Sequence, residues 1–348
     1  MRTISADQRR TLEDLSAEGL LKGLPVQTAE KDIHITELLR GLSELRVEHD
    51  FFSDLARGEK TRHDAGIQLV FAGGTCLSKA HGLISRMSED IDIKVILQPP
   101  ASPLKGDRGN RARLKALHQH VEQLLADLGF TLLEPRDEAN PFVQDRRRYY
   151  VVAAGYQSSY DQLAGLRPHL KLEIIERTPL MPTERRQFGY LYESLAGLPA
   201  SSPVSIECIS VAETAAEKVL SLLRRCAWSW DGYQRTEMDP ALVRHIYDVA
   251  RISEQDGDAL RAAREIFPRL VGGDREEFLR QHPGFDADPV GVLRRTLVAA
   301  RSRPELKQRF SEQLLPLVYE PEPPAYEHCF ERFEAVAQDF LSTCARAS

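Results

Sequence analysis

The sequence has no apolar run approaching the ~20 residues needed to cross a bilayer. Its N-terminus, MRTISADQRRTLEDL, has no apolar core of the kind a signal peptide carries. Neither membrane insertion nor secretion is expected, and the chain is read as cytoplasmic. Cysteine is sparse and scattered: Cys76, Cys208, Cys226, Cys329 and Cys344 form no C-x-x-C pair, which supports neither a zinc knuckle nor a disulfide framework. Free thiols suit a reducing compartment. With 21 glycines and 20 prolines, collagen-like and low-complexity classes are excluded. Positive charge is not in excess either: 46 Lys and Arg face 52 Asp and Glu, a formal net charge of −6, which argues against a protein that coats nucleic acid over its whole surface. Local basic stretches remain, at Lys105, Arg108, Arg111, Arg113 and Lys115, at Arg146, Arg147 and Arg148, and at Arg224 with Arg225. Each alone reads as a solvated face.

The 348 residues, 42% of them hydrophobic, suffice for about two domains with real cores. The first 60 or so read as helical: Leu38, Leu39, Leu42 and Leu45 recur at helical spacing, and Phe51, Phe52 and Leu55 continue it. Ile67 to Ala72 (IQLVFA) reads as a buried strand stopped by Gly73-Gly74, with a helix expected from about Thr75 to Ile84. Ile91 to Val95 alternates apolar and polar residues as a strand does. A loop follows, marked by Pro99, Pro100, Pro103, Gly106 and Gly109. Arg111 to Leu128 reads as a helix with Leu114, Leu117, Val121, Leu124 and Leu125 on its stripe. YYVVAAGY (149–156) and HLKLEIIE (169–176) read as strands, Pro179 through Pro203 as a linker, and the chain after about Ser210 as helical. The expectation is an α/β (α+β) protein in three segments: a helical 1–60, a core over 61–200 with a mixed sheet and flanking helices, and a helical domain over 201–348.

The stretch GGTCLSKAHGLISRMSEDIDI (73–93) carries most information. A strand, a Gly pair and a helix bring backbone N–H groups toward an anion, although neither G-x-x-x-x-G-K-[ST] nor G-x-G-x-x-G is present. Alone, the glycines read as an ordinary turn. Asp90 and Asp92 stand two apart on a strand and share a face, opposite Ile91 and Ile93. Two such carboxylates repel unless a cation lies between them, and Mg²⁺ takes one or two carboxylates plus substrate phosphates. The pair follows Ser88-Glu89, and Asp90 lies 16 residues after Gly74, a conjunction far more specific than D-x-D alone. A third carboxylate is available at Glu173, which shares a polar strand face with His169 and Lys171; the plain alternative is the solvent face of an edge strand. Ser210 with Glu213 is a capping-box pattern, and the helix it starts aligns Val211, Ala215, Lys218 and Leu222. A lysine in that line needs a partner, either a triphosphate or a salt bridge, for instance to Asp248. Asp239-Pro240 starts the helix of Asp248, whose plain alternative is a surface pair with Arg244. His118-x-His120 on a helix does not converge on a metal. Trp228, Trp230 and Tyr233 read as packing at a helix end.

GGTxLSK…GLIxRxSEDIDI, the later AEKxxxLLRR and the later RHIYDVA resemble the AbiEii/AbiGii nucleotidyltransferase toxins, a family of the DNA polymerase β-like superfamily. The matching motifs run from Gly73 to Asp248, and the first is the specific one. The resemblance implies a toxin of a toxin–antitoxin or abortive-infection (phage-defence) system that transfers a nucleotide from an NTP, with Mg²⁺ as cofactor. It implies an RNA acceptor, the tRNA 3′ end, and a cognate antitoxin as partner. It places Gly73, Gly74, Thr75, Ser78 and Ser88 at the nucleotide, Asp90, Asp92 and Glu173 at the metals, Lys218 at the phosphates and Asp248 in the last motif. The family often writes that motif R-D-L-Y-D; here His245 stands at the first acid. Two other readings remain open: an NTP-binding module acting through protein contacts, and a nucleotidyltransferase with a protein or small-molecule acceptor.

Overall fold

The computed structural model describes residues 1–54, 59–99, 106–133, 143–163, 165–234 and 238–344. Leu55, Pro100, Pro103 and Lys105 lie outside them. The chain divides into two compact units. The first comprises Met1–Ala80, Ser88–Pro179 and Thr183–Ile209, and the second His81–Met87, Leu180–Pro182 and Ser210–Ser348.

The first unit holds ten strands among the described residues: β1 (Glu48–Asp54), β2 (Glu59–Asp64), β3 (Ile67–Ala72), β4 (Asp90–Leu97), β5 (Thr131–Leu133), β6 (Val143–Gln144), β7 (Tyr149–Gly155), β8 (His169–Glu176), β9 (Glu184–Phe188) and β10 (Val204–Cys208). β1 and β2 form an antiparallel ribbon. The others form one mixed sheet in the order β5-β7-β8-β4-β3-β10-β9, with β6 on β7. Two neighbouring pairs are parallel, β4 with β8 and β3 with β10. Five helices accompany the sheet: α1 (Ala6–Ala17), α2 (Val26–Glu44), α3 (Gly73–Lys79), α4 (Gly106–Asp127) and α5 (Leu191–Leu195).

Helix α2 is buried along most of its length, charged residues included. Each buried charge has a partner, as burial requires: Lys31 Nζ lies 2.6 Å from Glu89 Oε1, Asp32 Oδ1 2.5 Å from Lys79 Nζ, and Glu30 accepts from Ser158 Oγ and the Ser159 N–H at 2.6 and 2.7 Å. Burial pushes the Lys31 ammonium down to about 8, with Glu89 opposing the shift.

The second unit is helical, built from α6 (Val211–Trp230), α7 (Arg244–Gln255), α8 (Gly257–Glu277), α9 (Pro283–Ala287), α10 (Pro289–Ala300), α11 (Pro304–Arg309) and α12 (Tyr326–Cys344). Ser210 caps α6, its Oγ accepting the Glu213 N–H at 3.1 Å, while Glu213 Oε2 accepts the Met181 N–H at 2.9 Å. Asp239 and Pro240 open the turn that leads into α7.

The strands expected at 67–72, 91–95, 149–156 and 169–176 are present, as are the helix over 111–128 and the helical region after Ser210. Three expectations fail. Helical spacing does not carry past Glu44; the chain turns extended and pairs β1 with β2, an ambiguity inherent in short apolar runs. The helix after Gly73-Gly74 ends at Lys79 rather than near Ile84, because 81–87 joins the helical unit, where Met87 N–H bonds Leu317 C=O and Tyr319 N–H bonds Ser85 C=O. The stretch taken for a linker contains α5 and the charged, exposed edge strand β9.

Candidate functional site

Strands β4 and β8 run side by side in parallel register, with Asp90 opposite Lys171 and Asp92 opposite Glu173. Both strands alternate. Ile91, Ile93, Leu170, Leu172 and Ile174 are buried, while Asp90, Asp92, Lys171 and Glu173 are half-buried on the other face. Three acids from segments 81 or more residues apart in sequence thus share one sheet face, and Glu173 is in an interior strand rather than at the sheet edge. The edge-strand alternative does not apply.

Gly73 follows β3 with φ of +75°, and a Cβ there would lie 1.8 Å from Asp92 Oδ2. Glycine is required here twice, for the left-handed backbone and for the approach of the Asp92 carboxylate. Thr75 Oγ1 donates to the main-chain carbonyl of Asp90, which ties α3 to the start of β4. Gly74 and Ser88 are buried and Ser78 is half-buried.

The acids have cationic and hydroxyl partners. Arg167 Nη2 lies 2.8 Å from Asp90 Oδ1, and Arg167 also donates its main-chain N–H to Glu89 Oε1 at 2.7 Å. Lys171 is ion-paired with Glu173, and Tyr149 donates its hydroxyl to Glu173 Oε2 at 3.2 Å. Burial opposes the charged form of Lys171, yet Glu173 and Asp90 outweigh it and raise its pKa. Glu89 is likewise held below the usual carboxylate range: burial pushes it up, and Lys31 and Arg167 more than reverse that. Among the described residues no three His, Cys, Asp or Glu side chains converge to hold a metal ion. The donor chemistry of Asp90, Asp92 and Glu173 nevertheless fits a hard divalent cation, with two acids directly across the ladder from each other where like charges are costly.

Lys218 and Asp248 lie in the helical unit and are ion-paired, Nζ to Oδ2 at 2.8 Å. Asp248 is 0% exposed and also receives a bidentate guanidinium from Arg86, Nε to Oδ1 at 2.7 Å and Nη2 to Oδ2 at 2.6 Å. Burial pushes the Asp248 carboxyl up, but Arg86 and Lys218 prevail and hold it well below the usual carboxylate range. The surface pair with Arg244 is therefore not what engages Asp248. Arg86 belongs to the stretch GLISRMSEDIDI, but its partner is 162 residues away, so periodicity gave no signal of the pairing. His245 is held neutral by burial and by Lys218.

The basic stretches resolve differently. Arg113 is buried and donates to the carbonyls of Ala65, Gly66 and Gln98, so it belongs to the core and not to any charged surface. Arg108, Arg111 and Lys115 lie on the exposed side of α4, and Arg146 reaches that helix through Asp107 at 2.7 Å. Arg146 and Arg147 follow Asp145 in a run of three positive φ angles (42°, 53° and 76°), and Arg148 pairs with Glu176 at 2.6 Å. Arg224 is spent on Asp274 and the Phe278 ring, and Arg225 on Asp239. His118 stacks on Tyr150 at 4.1 Å, and Trp230 packs under Arg303 at 4.7 Å.

The sheet thus brings together a D-x-D strand, a parallel neighbour bearing a further acid and a Gly-Gly turn against the second aspartate. The chain belongs to the AbiEii family: residues 55–335 match the family described as "Nucleotidyl transferase AbiEii toxin, Type IV TA system". It is thus a nucleotidyltransferase toxin of a type IV toxin–antitoxin system. Its fold is similar to that of MenT4, a nucleotidyltransferase toxin of Mycobacterium tuberculosis H37Rv, with a TM-score of 0.54 at 18% identity over 94% of this chain and 89% of that one. A slighter likeness, with a TM-score of 0.40 at 12% identity, covers 93% of this chain and 96% of JHP933 from Helicobacter pylori. No curated protein matches the chain. Among the described residues no helix is long and apolar enough to cross a membrane.

Proposed function

We propose that this toxin transfers a nucleotide from an Mg²⁺-bound NTP to an RNA acceptor, the tRNA 3′ end, in the cytoplasm. The observation that carries the reading is the register of β4 on β8, which lines up Asp90, Asp92 and Glu173 on one face with Gly73 pressed against Asp92. In this reading Asp90, Asp92 and Glu173 would hold Mg²⁺, which would supply positive charge against the triphosphate and acidify the attacking hydroxyl. The acceptor hydroxyl attacks the α-phosphorus, its proton passes to a carboxylate such as Glu173, and pyrophosphate leaves. Gly73, Gly74, Ser78 and Ser88 line the phosphates, while Thr75 steadies β4 through the Asp90 carbonyl. Within the helical unit, Asp248 fixes the Lys218 ammonium.

What supports RNA as acceptor is the surface of α4 and the turn beside it. Among the described residues Arg111 and Arg146 pair with Asp107, and Arg148 with Asp145 and Glu176, while Arg108 and Lys115 are exposed on the same helix. An acidic protein that binds RNA needs such a local excess. The test is incubation with each labelled NTP, Mg²⁺ and total RNA, followed by sequencing of RNA 3′ ends. Nucleotides added by wild type and absent with Asp92→Asn support the reading. Label that enters protein or small molecules instead of RNA overturns the acceptor.

A further inference from the structure

Four charged side chains mark the corners of a square on the sheet face. Asp90 and Asp92 lie along β4, and Lys171 and Glu173 lie beside them along β8. Three corners are acids and the fourth is a lysine. The alternation of β8 commits Leu170, Leu172 and Ile174 to the core, so Lys171 has no route to the opposite face. Its ammonium pairs with Glu173 and, among the described residues, has no other bonded partner; Asp90 stands directly across the ladder.

Arg167, the other cation beside these acids, is placed differently. Its main-chain N–H and guanidinium both engage Glu89, which Lys31 locks from the buried side with 0% and 2% exposure for that pair. Arg167 is fixed to the wall of the site. Lys171 is as exposed as Arg167, 34% against 33%, but among the described residues is tethered through Glu173 alone, on a flexible four-carbon stem.

A divalent cation brought to these carboxylates competes with the ammonium for the same oxygens and repels it. A lysine so released would be free to pair with an anion that the metal carries. We infer that Lys171 is an exchangeable counter-ion: it neutralises the acids in the absence of metal and moves to the nucleotide's phosphates when metal and nucleotide bind. The inference rests on the reading in which Asp90, Asp92 and Glu173 hold the metal.

The test is Mn²⁺ titration of the full-length protein, read by the paramagnetic resonance of the free ion, followed by titration of non-hydrolysable α,β-methylene NTPs at saturating Mn²⁺. Lys171→Met removes the competitor, so Mn²⁺ affinity without nucleotide is expected to rise about fivefold. The same variant loses a charge-assisted phosphate contact, so nucleotide affinity is expected to fall about tenfold. Lys171→Arg keeps the charge and should restore nucleotide affinity to within about threefold of wild type. If Lys171→Met melts early, Lys171→Gln takes its place. Two affinities that both stay unchanged, or that fall together with thermal stability, overturn the exchange and leave Lys171 a structural partner of Glu173. Wild-type Mn²⁺ uptake that is absent, or that Asp92→Asn does not reduce, overturns the metal reading itself, however Lys171 behaves.

Discussion

The two charged clusters of this protein differ chiefly in their access to water. On the sheet face, Asp90, Arg167, Lys171 and Glu173 keep 25–34% of their side-chain surface exposed. In the helical unit, Asp248, Arg86 and Lys218 keep 0%, 3% and 7%. Ion pairs in contact with water contribute only about 0–1 kcal/mol, so one held at a single atom, such as Lys171 on Glu173, is cheap to exchange. A buried carboxylate with three charge-assisted bonds has no such freedom, because losing one partner strands a charge in a medium that cannot solvate it. The same residue types therefore serve opposite ends: the sheet face can hand its carboxylates to a ligand, while the buried trio holds 81–87 to the rest of the helical unit.

Asp248→Ala should show the largest effect. It leaves the buried Arg86 and Lys218 without their shared carboxylate, and a loss of about 3–5 kcal/mol in urea unfolding is expected. A loss under ~1 kcal/mol would erase the contrast between the two clusters. The same group sets a pH dependence. Its folded pKa is depressed, so its stabilisation is present above the unfolded value of about 3.9 and drains away as pH falls below it. Melts from pH 7 to pH 3 should show that decline in wild type and a shallower one in Asp248→Asn.

Asp92→Asn should do the reverse: activity falls at least about a hundredfold, near 3 kcal/mol in transition-state stabilisation, while unfolding shifts by less than ~1 kcal/mol. Full turnover in this variant, with an unchanged circular dichroism spectrum, would remove Asp92 from the chemistry.

A pair of glycine substitutions sharpens the comparison further. Gly73→Ala meets both the strained backbone and the Asp92 carboxylate, so a loss of about 1–3 kcal/mol together with most activity is expected. Gly82 has φ of +66° with nothing within 4 Å of an added Cβ, so Gly82→Ala should show backbone strain alone, about 1 kcal/mol, with activity kept. Equal activity in the two variants would count against the role given to the contact between Gly73 and Asp92.

The smallest effect is reserved for the exposed arginines. Replacing Arg146, Arg147 and Arg148 together with Ala should leave NTP binding nearly unchanged, lower RNA affinity and flatten its salt dependence by roughly two units of slope, since each phosphate contact contributes about 0.7–0.9. An unchanged slope in filter-binding assays would remove this patch while leaving the acceptor itself undecided by that assay.

Much of the sheet was legible because its central strands alternate or run apolar within a few residues. IQLVFA, DIDIKV and HLKLEII each carry their period locally. Strands β1, β2 and β9 were not legible, being short, charged or ambiguous between periods; partners across the ladder make them strands. The positions of Asp90, Asp92 and Glu173 could be proposed from D-x-D and a polar strand face, but their side-by-side register could not. Arg113 shows the limit most plainly: in sequence it is one arginine of a basic run, and in the fold its guanidinium satisfies three backbone carbonyls.

What the sequence determined by itself is local: which residues alternate, where Gly73 breaks a strand, where Ser210 and Asp239 start helices, and the motifs that place the chain among nucleotidyltransferase toxins. Those features depend on backbone preferences and side-chain periods acting over a few residues. The tertiary structure alone decided that Asp92 faces Glu173 across 81 residues, that Arg86 and Lys218 share Asp248, and that Lys171 rather than a fourth acid completes the square. Charges separated along the chain come together only when strand register and helix packing close the loops between them, and burial then fixes which pairs can exchange partners and which cannot.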